Sequence, residues 1–548
     1  MKETDGRSRV PRAHRRMRFA LPTALVLVLA LVIGVGTSGA APERAGQAGG
    51  TLRWALQTNP ASLFNAYYFS TEGSTIFSLT TQHMLEPGVF GEPKLGEGAV
   101  VASWKAVTPT RYEYTIKKGL RFSDGTRVTA EDVAFSLNVH RNPKTGSKLF
   151  SFYDNVRSVG FKGDKVIVLL FKPNSKWQYT PAATPGFIYS KADYAKKGSA
   201  FGTPSGLPVG TGPYKWVEYT PNSRVVLERN QYWKGKRYPW DRIVFSIIPD
   251  AQARLLALQS GQIDGTFAVP NNDIPLWVKT SNMKVGTFNS GGWRGFSIDV
   301  EDGPFKDVNV RRAIAYSLDK VSITEALTSG RGQVLDGLPP LLFIRAHLPK
   351  KEIDEALKKV PKYPFSIDRA KEELAKSAYP KGFKTTLNVP TGCPACLLLS
   401  QVLQQGTSKI GIEVNLNIMP GPQRFQVILD HKPNLGIQVL GQGADSPHPM
   451  DKPDLLYKSD KAAPGYENSA NYKNAQVDRW IDEGLASSDP KVAARNVLKI
   501  MRVIARDVPY IPIFSIPGAW AVKTGWSFKS SIGPFYYNQN WLNHLVAP

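Results

Sequence analysis

Apolar and polar residues alternate along several stretches of the chain, as strands with one buried face require. Gly49 to Gln57 and Tyr112 to Ile116 follow this pattern, which predicts two strands. Lys165 to Phe171 is apolar almost throughout and predicts a buried strand. Tyr214 to Glu228 extends on both sides of Pro221-Asn222, and this arrangement predicts a two-strand hairpin.

Helical patterns occur between and after these stretches. Thr129-Ala-Glu-Asp132 has the residue types of a capping box and predicts the start of a helix. Asp307 to Asp319 predicts one helix with an apolar face. Asp489-Pro490 predicts the start of a helix that ends near Asp507, and Tyr510 to Phe514 predicts a strand after it. Strands and helices are interspersed over 548 residues, which predicts an α/β fold with more than one lobe.

The N-terminus has the pattern of an export signal. Residues 1–18 contain seven Lys and Arg residues against two acidic ones, and Phe19 to Val35 is an uncharged apolar run of 17 residues. Small residues follow, so we predict a signal peptide over residues 1–40 that is cleaved near Ala40. The alternative is an uncleaved membrane anchor, because 17 residues is at the short limit for a span. We expect the protein in the periplasm or at the outer face of the cytoplasmic membrane.

The formal net charge of the chain is +24 at pH 7. A strongly basic balance can indicate nucleic-acid binding. Because the protein is predicted to be exported and its basic residues are spread along the chain, we expect a solvated basic surface and no nucleic-acid partner.

Patterns typical of catalysis or cofactor binding are absent from the sequence. It contains no Gly-x-Ser-x-Gly elbow, no His-Glu-x-x-His helix and no phosphate-binding loop. The two cysteines, Cys393 and Cys396, occur in Cys-Pro-Ala-Cys and predict either a local disulfide or a pair of unreactive thiols. We predict no catalytic residue, no metal site and no cofactor, and so a binding protein and not an enzyme.

Several blocks of the sequence resemble one family when they are taken in order. The resemblance covers roughly residues 49–525, and each block alone is weak, but their order is specific. The blocks begin with GGTLRWALQTNP at Gly49 and continue with Val100 to Leu137, Val209 to Gly235, Leu255 to Asp264, Gly303 to Lys320 and Ser487 to Phe514. The chain is thereby similar to the peptide/nickel-type extracellular solute-binding proteins of ABC importers, bacterial solute-binding protein family 5.

The resemblance implies a two-lobe periplasmic-binding-protein-like fold of the α/β class (class II, cluster C), with an extra small α+β domain and a hinge. The chain would cross between lobes near Asn289 and near Pro517. The expected boundaries are 49–87, 191–288 and 517–548 for lobe I, 88–190 for the extra domain and 289–516 for lobe II.

The resemblance also implies a function. A peptide-like ligand would be captured in the cleft between the lobes and delivered to an ABC permease in the membrane, with the protein acting as a monomer. The same scaffold could instead bind an oligosaccharide or a nickel chelate, with Cys393, Cys396 or His448 as metal ligands. Two other classes remain open, which are an exported hydrolase of peptides or envelope polymers and a structural envelope protein.

Ligand-binding residues are carried over from the family's pattern. In peptide-binding members an Asp of lobe II pairs with the ligand's α-amino group, and Ala444-Asp445 resembles that site; Gln442 stands where the family often has Trp. Dipeptide binders have a carboxylate-binding Arg in the segment that corresponds to 385–396, which has no charge here. A longer peptide bound through its backbone, or a neutral ligand, would not need that Arg. The aromatic candidates for stacking on a ligand are Tyr67, Tyr68 and Phe69.

Overall fold

The computed structural model describes residues 49–67, 70–337, 341–431, 435–529, 532–538 and 540–548. The predicted signal peptide, residues 1–40, lies outside the described residues, as do the candidates Tyr68 and Phe69. Within the described ranges, no helix combines the length and apolar character that crossing a bilayer requires.

Short and long strands alternate with helices along the chain. The strands are β1 (Gly50–Leu56), β2 (Glu86–Pro87), β3 (Pro93–Lys94), β4 (Val101–Thr108), β5 (Arg111–Ile116), β6 (Val156–Lys162), β7 (Lys165–Leu170), β8 (Tyr214–Thr220), β9 (Arg224–Arg229), β10 (Trp240–Ile247), β11 (Gly265–Thr266), β12 (Met283–Ile298), β13 (Phe383–Pro390), β14 (Ile412–Met419), β15 (Ile437–Gln442), β16 (Tyr510–Lys523), β17 (Ser527–Phe528) and β18 (Leu545–Val546). The helices are α1 (Thr71–Thr80), α2 (Ala130–Arg141), α3 (Lys191–Lys197), α4 (Ala251–Gln259), α5 (Ile274–Lys279), α6 (Val308–Tyr316), α7 (Lys320–Thr328), α8 (Leu342–Arg345), α9 (Lys350–Leu357), α10 (Ile367–Ala375), α11 (Pro394–Ser408), α12 (Gly421–Asp430), α13 (Asp451–Leu456), α14 (Ala475–Ala486) and α15 (Pro490–Asp507).

One ten-stranded sheet extends through both halves of the molecule, in the order β14-β13-β15-β12-β16-β11-β1-β10-β9-β8. Its two halves are joined through the antiparallel pair β12–β16, which runs from Met283 opposite Lys523 to Ser297 opposite Tyr510. β12 also pairs with β15 in one half, and β16 pairs with β11 in the other. These two long strands therefore belong to both halves of the fold.

The ladder between β12 and β16 is irregular near its middle. Asn289 pairs with Pro517, the two positions at which the sequence predicts lobe crossings, and pairing resumes only at Gly292. Gly291 has φ +67°, a conformation that glycine adopts without a Cβ penalty. Ser290 Oγ donates to the carbonyl of Ile516 at 2.5 Å. The predicted crossing thus coincides with a bulge, which bends a strand locally.

A smaller antiparallel sheet, β4-β5-β7-β6, lies within residues 101–170. Helix α2 packs against β6 and β7 of this sheet. Thr129 caps α2 with the predicted capping box, because its hydroxyl accepts from the Asp132 amide and the Asp132 carboxylate accepts from the Thr129 amide. The sheet and helix share an apolar core that includes Tyr114, Leu137 and Val168.

The larger sheet has separate apolar cores in its two halves. Trp54 and Phe245 belong to the core around β1 and β10. In the other half, Trp293 and Phe296 point to opposite faces of β12 and join two different cores, as the alternation of side chains along a strand requires. Each half thus has the buried apolar surface that a lobe needs.

Most predicted elements are confirmed, with two changes in extent. The helix predicted over Asp307 to Asp319 ends at Tyr316, because Asp319 accepts from the Ser322 amide and caps a second helix, α7. The strand predicted at Tyr510 to Phe514 continues to Lys523. The strand predicted as buried at Lys165 to Phe171 is buried mainly on one face.

Arg311 fixes the turn that leads into β16. This buried side chain donates to the carbonyls of Phe305, Lys306 and Asp507 at 2.6–3.0 Å. We expect Arg311→Leu to lower the free energy of unfolding by about 3 kcal/mol, because one buried carbonyl and two partly buried ones lose a charged donor. The measurement is urea unfolding followed by circular dichroism.

The neighbouring residue provides a matched control for this variant. Arg312 donates to the Arg506 carbonyl at a more exposed position, so Arg312→Leu should cost less than about 1 kcal/mol. Equal losses in the two variants would contradict the role assigned to Arg311.

Candidate ligand-binding site

The end of β15 brings the candidates Gln442 and Ala444 to the bulge of β12. Gln442 is the last residue of β15 and pairs with Trp293 of β12. Ala444 is buried, and its carbonyl accepts from the Tyr537 hydroxyl at 2.7 Å. A Cβ placed on Gly291 would lie 3.4 Å from the Ala444 Cβ. The segment after β15 therefore lies beside the irregular part of the ladder that joins the two halves.

Asp445 has a cationic partner from its own segment. Lys452 Nζ binds Asp445 Oδ2 and lies 3.8 Å from Asp451 Oδ2. The Lys452 side chain is 6% exposed and that of Asp445 is 24% exposed, so Asp445 lies between the buried ammonium and solvent. Its Oδ1 accepts no hydrogen bond within the described part of the chain. An internal cation thus occupies one oxygen of the predicted ammonium-binding carboxylate.

Asp451 holds the loop in which Asp445 lies. Its carboxylate accepts from the Asp445 amide at 3.1 Å and from the Ser446 hydroxyl at 2.9 Å. Burial raises the pKa of Asp451. Burial alone would lower the pKa of Lys452, but the charges of Asp445 and Asp451 outweigh it and raise that pKa. Lys452 is therefore cationic at neutral pH.

Glu467 adds a third carboxyl group to this cluster. Gln442 Nε2 donates to Glu467 Oε2 at 2.7 Å. Burial, together with the charges of Asp445 and Asp451, raises the pKa of Glu467 to about 7, although Lys452 acts in the opposite direction. Three carboxyl groups lie around the Lys452 ammonium, and the charge of Lys176 also acts on Asp451. We call Asp445, Asp451, Lys452 and Glu467 the acidic cluster. Because burial and the neighbouring carboxylates raise the pKa values of Asp451 and Glu467, a cationic group of a ligand beside them would favour their ionised forms.

Tyr67 lies apart from the acidic cluster. Its ring meets Phe64 edge-to-face at 5.2 Å, and its hydroxyl lies 3.3 Å from that of Tyr194. Burial, aided by Tyr194, raises the pKa of Tyr67 to about 12. The residue is 40% exposed and so is not part of the buried core. The structure does not join Tyr67 to Asp445 by a described contact.

Two arginines that sequence analysis did not single out lie beside the uncharged segment 385–396. Arg294 of β12 has Nη1 at 3.2 Å from Cys393 Sγ and 2.7 Å from Cys396 Sγ. Arg424 of α12 donates from Nη2 to the Val439 carbonyl. The sequence pattern that could have drawn attention to Arg294 is a charged residue within an apolar strand. No comparable pattern marks Arg424.

The proposed nickel ligands are engaged in other ways. Cys393 and Cys396 form a disulfide, the first of the two expected states. His448 Nε2 lies 3.0 Å from the Ser175 hydroxyl, and its Nδ1 accepts from the Met450 amide at 3.1 Å. Burial lowers the pKa of His448 to about 3. Within the residues that the structure describes, no group of three or more His, Cys, Asp or Glu side chains could hold a metal ion.

Residues of the smaller sheet's region contact the half that contains Asp445. Lys176 binds Asp454, and Lys461 binds Asp154. The Lys176 and Asp454 side chains are both largely buried. A small cavity is lined by residues of both regions, which are Ser151, Phe152, Lys176, Asp445, Asp451, Asp454, Leu455 and Lys461. Two members of the acidic cluster, Asp445 and Asp451, thus share a cavity with residues of the smaller sheet's region.

Comparison with known sequences identifies related proteins. The model for bacterial extracellular solute-binding proteins, family 5 Middle, matches residues 97–464, which is more than half of the chain. The chain is 28% identical over 421 residues to the oligopeptide-binding protein AppA of Bacillus subtilis (strain 168), covering 73% of this chain and 74% of AppA. It is 25% identical over 467 residues to the glutathione-binding protein GsiB of Escherichia coli (strain K12), covering 81% and 88%.

Solved structures agree with the sequence match. AppA of Bacillus subtilis in complex with a nonapeptide has a TM-score of 0.78 at 25% identity, covering 92% of this chain and 99% of that one. The binding protein AgaA from A.tumefacien R10, in complex with agropinic acid, has a TM-score of 0.79 at 22% identity and shows the shared fold, covering 91% and 99%. The predicted fold class is confirmed. The chain belongs to the bacterial extracellular solute-binding proteins of family 5.

Proposed function

We propose that this protein captures a peptide-like ligand between its lobes and presents it, chemically unchanged, to the permease of an ABC importer. The observation that supports this most is the excess of carboxyl groups in the acidic cluster. The N-terminal ammonium of a peptide would supply the missing positive charge. The names of AppA and GsiB, an oligopeptide-binding and a glutathione-binding protein, support this ligand class.

The lobes are proposed to follow the predicted boundaries. The pairing of Asn289 with Pro517 supports them, because both chain crossings then lie at one level of the β12–β16 ladder. Lobe I comprises residues 49–87, 191–288 and 517–548, the extra domain 88–190 and lobe II 289–516. With these boundaries, the ion pairs of Lys176 and Lys461 join the extra domain to lobe II and belong to a closed form. A ligand that contacts both sides would stabilise closure.

Asp445 is proposed as the partner of the ligand's ammonium. Lys452 holds its Oδ2, and its Oδ1 accepts no hydrogen bond from the described residues. Ala444 and Gln442 would line the same part of the cleft. The Tyr67 ring could stack on the ligand, and Tyr68 and Phe69 stay predictions in the same role.

The proposed site of action is outside the cytoplasmic membrane. The predicted signal segment supports export, with the mature protein either released or anchored through that segment. We propose that it functions as a monomer.

The proposal is tested with a defined peptide pool, which contains mixed-sequence peptides of two to six residues. We expect binding by isothermal titration calorimetry, and Asp445→Asn should weaken it about tenfold or more, because a hydrogen bond to a charged group is worth about 1.5–3 kcal/mol. The same pool with acetylated N-termini should bind the two proteins equally, since it has no ammonium.

A control variant tests whether the loss of affinity is specific to Asp445. Asp460→Asn removes a more exposed carboxylate that is 3.7 Å from Lys458 and should leave binding unchanged. If the wild-type protein binds neither pool, the peptide proposal is wrong. If mass spectrometry shows that the pool has been cleaved after incubation, the hydrolase is favoured instead.

The raised pKa of Glu467 predicts that affinity depends on pH. Binding of an ammonium beside Glu467 favours its ionised form, so affinity for the peptide pool should rise several-fold from pH 5.5 to pH 7.0. Glu467→Gln should flatten this profile, as titration at both pH values would show. A wild-type profile that is flat, or that falls with pH, would rule out an ammonium beside this carboxyl group.

The pH dependence of the free energy of unfolding, measured without ligand, provides a second check on the pKa of Glu467. Because the folded pKa lies above the unfolded value, the folded protein binds more protons between about pH 4.5 and 7. This group therefore favours unfolding increasingly as pH rises through that window. Glu467→Gln should remove its share of the pH dependence, and Gln442 can still donate to the amide oxygen.

A further inference from the structure

The Cys393–Cys396 disulfide lies at the N-terminal end of helix α11. Cys393 caps this 15-residue helix, and its sulfur accepts a hydrogen bond from the Cys396 amide at 3.3 Å. Cys396 is buried in an apolar core, whereas Cys393 is half-buried between the exposed residues Gly392 and Pro394. One cysteine of the pair therefore lies nearer the surface, and the other belongs to the core.

Arg294 of β12 approaches both sulfur atoms. Its Nη1 lies 3.2 Å from Cys393 Sγ and 2.7 Å from Cys396 Sγ. Arg294 pairs with Gly441 of β15, and a Cβ on Gly441 would lie 3.1 Å from the guanidinium carbon. Glycine at this position thus leaves the space in which the guanidinium lies against the disulfide.

The positive charge beside the disulfide has no described anionic partner. In the part of the chain that is described, Arg294 contacts only the two disulfide sulfurs, which are weak acceptors. Burial lowers the pKa of Arg294 to about 10, so the side chain is still cationic at neutral pH. The other charge beside it is that of Arg424 of α12, whose pKa is lowered to about 10 by burial, aided by the charge of Arg294. A group that became negative at the sulfur atoms would therefore be stabilised.

Reduction of the disulfide would place such a group there. A thiolate has a full negative charge, and both an adjacent arginine and the N-terminal end of a helix stabilise it. In the oxidised state, Arg294 and the first turn of α11 face neutral sulfur atoms. In the reduced state the same groups would face a thiolate, so they stabilise the reduced pair more than the disulfide.

We propose that Cys393 and Cys396 form a thiol–disulfide exchange site, which external thiols reduce and in which Arg294 stabilises the thiolate of the reduced pair. The exchange does not depend on the ligand that the protein captures. It gives the pair a reactivity that the spacing of the two cysteines alone did not predict.

The exchange begins at the less buried cysteine. A thiolate of the reductant attacks Cys393 Sγ, and the bond to Cys396 breaks with its electron pair on Cys396 Sγ. Cys396 leaves as a thiolate beside Arg294 Nη1, so this step needs no proton. A second thiolate then attacks the reductant's sulfur in the mixed disulfide and releases Cys393. Two thiols of the reductant become one disulfide, the cysteine pair gains two electrons, and the two protons go to one protein thiol and to solvent.

The test equilibrates the purified protein with reduced and oxidised glutathione at neutral pH. Mass spectrometry after alkylation gives the reduced fraction and so the equilibrium constant for reduction. This constant should fall about tenfold or more in Arg294→Gln, which corresponds to about 30 mV. Arg294→Lys keeps the positive charge and should stay within about threefold of the wild-type value.

Unfolding the wild-type protein provides a test that needs no variant. The folded protein should have an equilibrium constant about tenfold or more above that of the same chain in concentrated urea, because the guanidinium leaves the sulfur atoms when the chain unfolds. Wild type and Arg294→Gln should be equal in urea. Arg479→Gln removes an exposed arginine that bonds to Gln476 and should keep the wild-type constant in the folded state.

Single-cysteine variants test the site of attack. Cys396→Ala leaves the half-buried Cys393 and should form a mixed disulfide with oxidised glutathione faster than Cys393→Ala, which leaves the buried Cys396. In Cys396→Ala the rate should reach half its maximum below about pH 8.5, the ordinary pKa of a free thiol. Adding Arg294→Gln should move that midpoint upward.

Three results would contradict the proposal. Equal constants for folded wild type and Arg294→Gln would remove the role of Arg294. A folded wild-type constant equal to or below the value in urea would show that the fold favours the disulfide, and so would overturn the exchange site. Faster reaction of Cys393→Ala would place the attack at Cys396. Each of these results leaves the proposed peptide capture intact, because no peptide is present.

Discussion

The antiparallel ladder between β12 and β16 is the constraint on which the rest of the structure depends. Every other strand of the large sheet lies on one side of this pair or the other. Relative movement of the halves must therefore bend or twist two strands, and two-stranded ribbons twist more readily than wide sheets. The bulge beside Asn289 and Pro517 places the irregular part of the ladder directly behind Ala444. The proposed hinge and the candidate site are thus neighbours in the fold.

Charged side chains lie on both sides of β15. The acidic cluster has more carboxyl groups than ammonium groups, and Arg294 and Arg424 have no described carboxylate partner. Charges that are partly removed from water without partners are unfavourable. The ammonium of a ligand beside Asp445 would offset part of this cost when the lobes close. Binding and closure would then favour each other, as a capture protein requires.

The sequence predicted the elements better than the chemistry of the cleft. Local signals located α2, the β8–β9 hairpin and α15, because caps and alternation depend on neighbouring residues. The family resemblance predicted Asp445 as a ligand-binding residue and chain crossings near Asn289 and Pro517. These last two residues pair in the β12–β16 ladder. Neither source indicated Lys452 as the partner of Asp445, nor that Arg294 would lie against Cys396. Such contacts depend on the packing of distant segments, and no spacing in the sequence encodes them.

Small-angle X-ray scattering of the protein with and without bound peptide tests the central claim most directly. The account predicts a smaller radius of gyration when the peptide is bound, because the halves pivot at the β12–β16 ladder and close. Occupancy would be confirmed by native mass spectrometry of the same samples. Identical scattering profiles for the occupied and the empty protein would contradict the account.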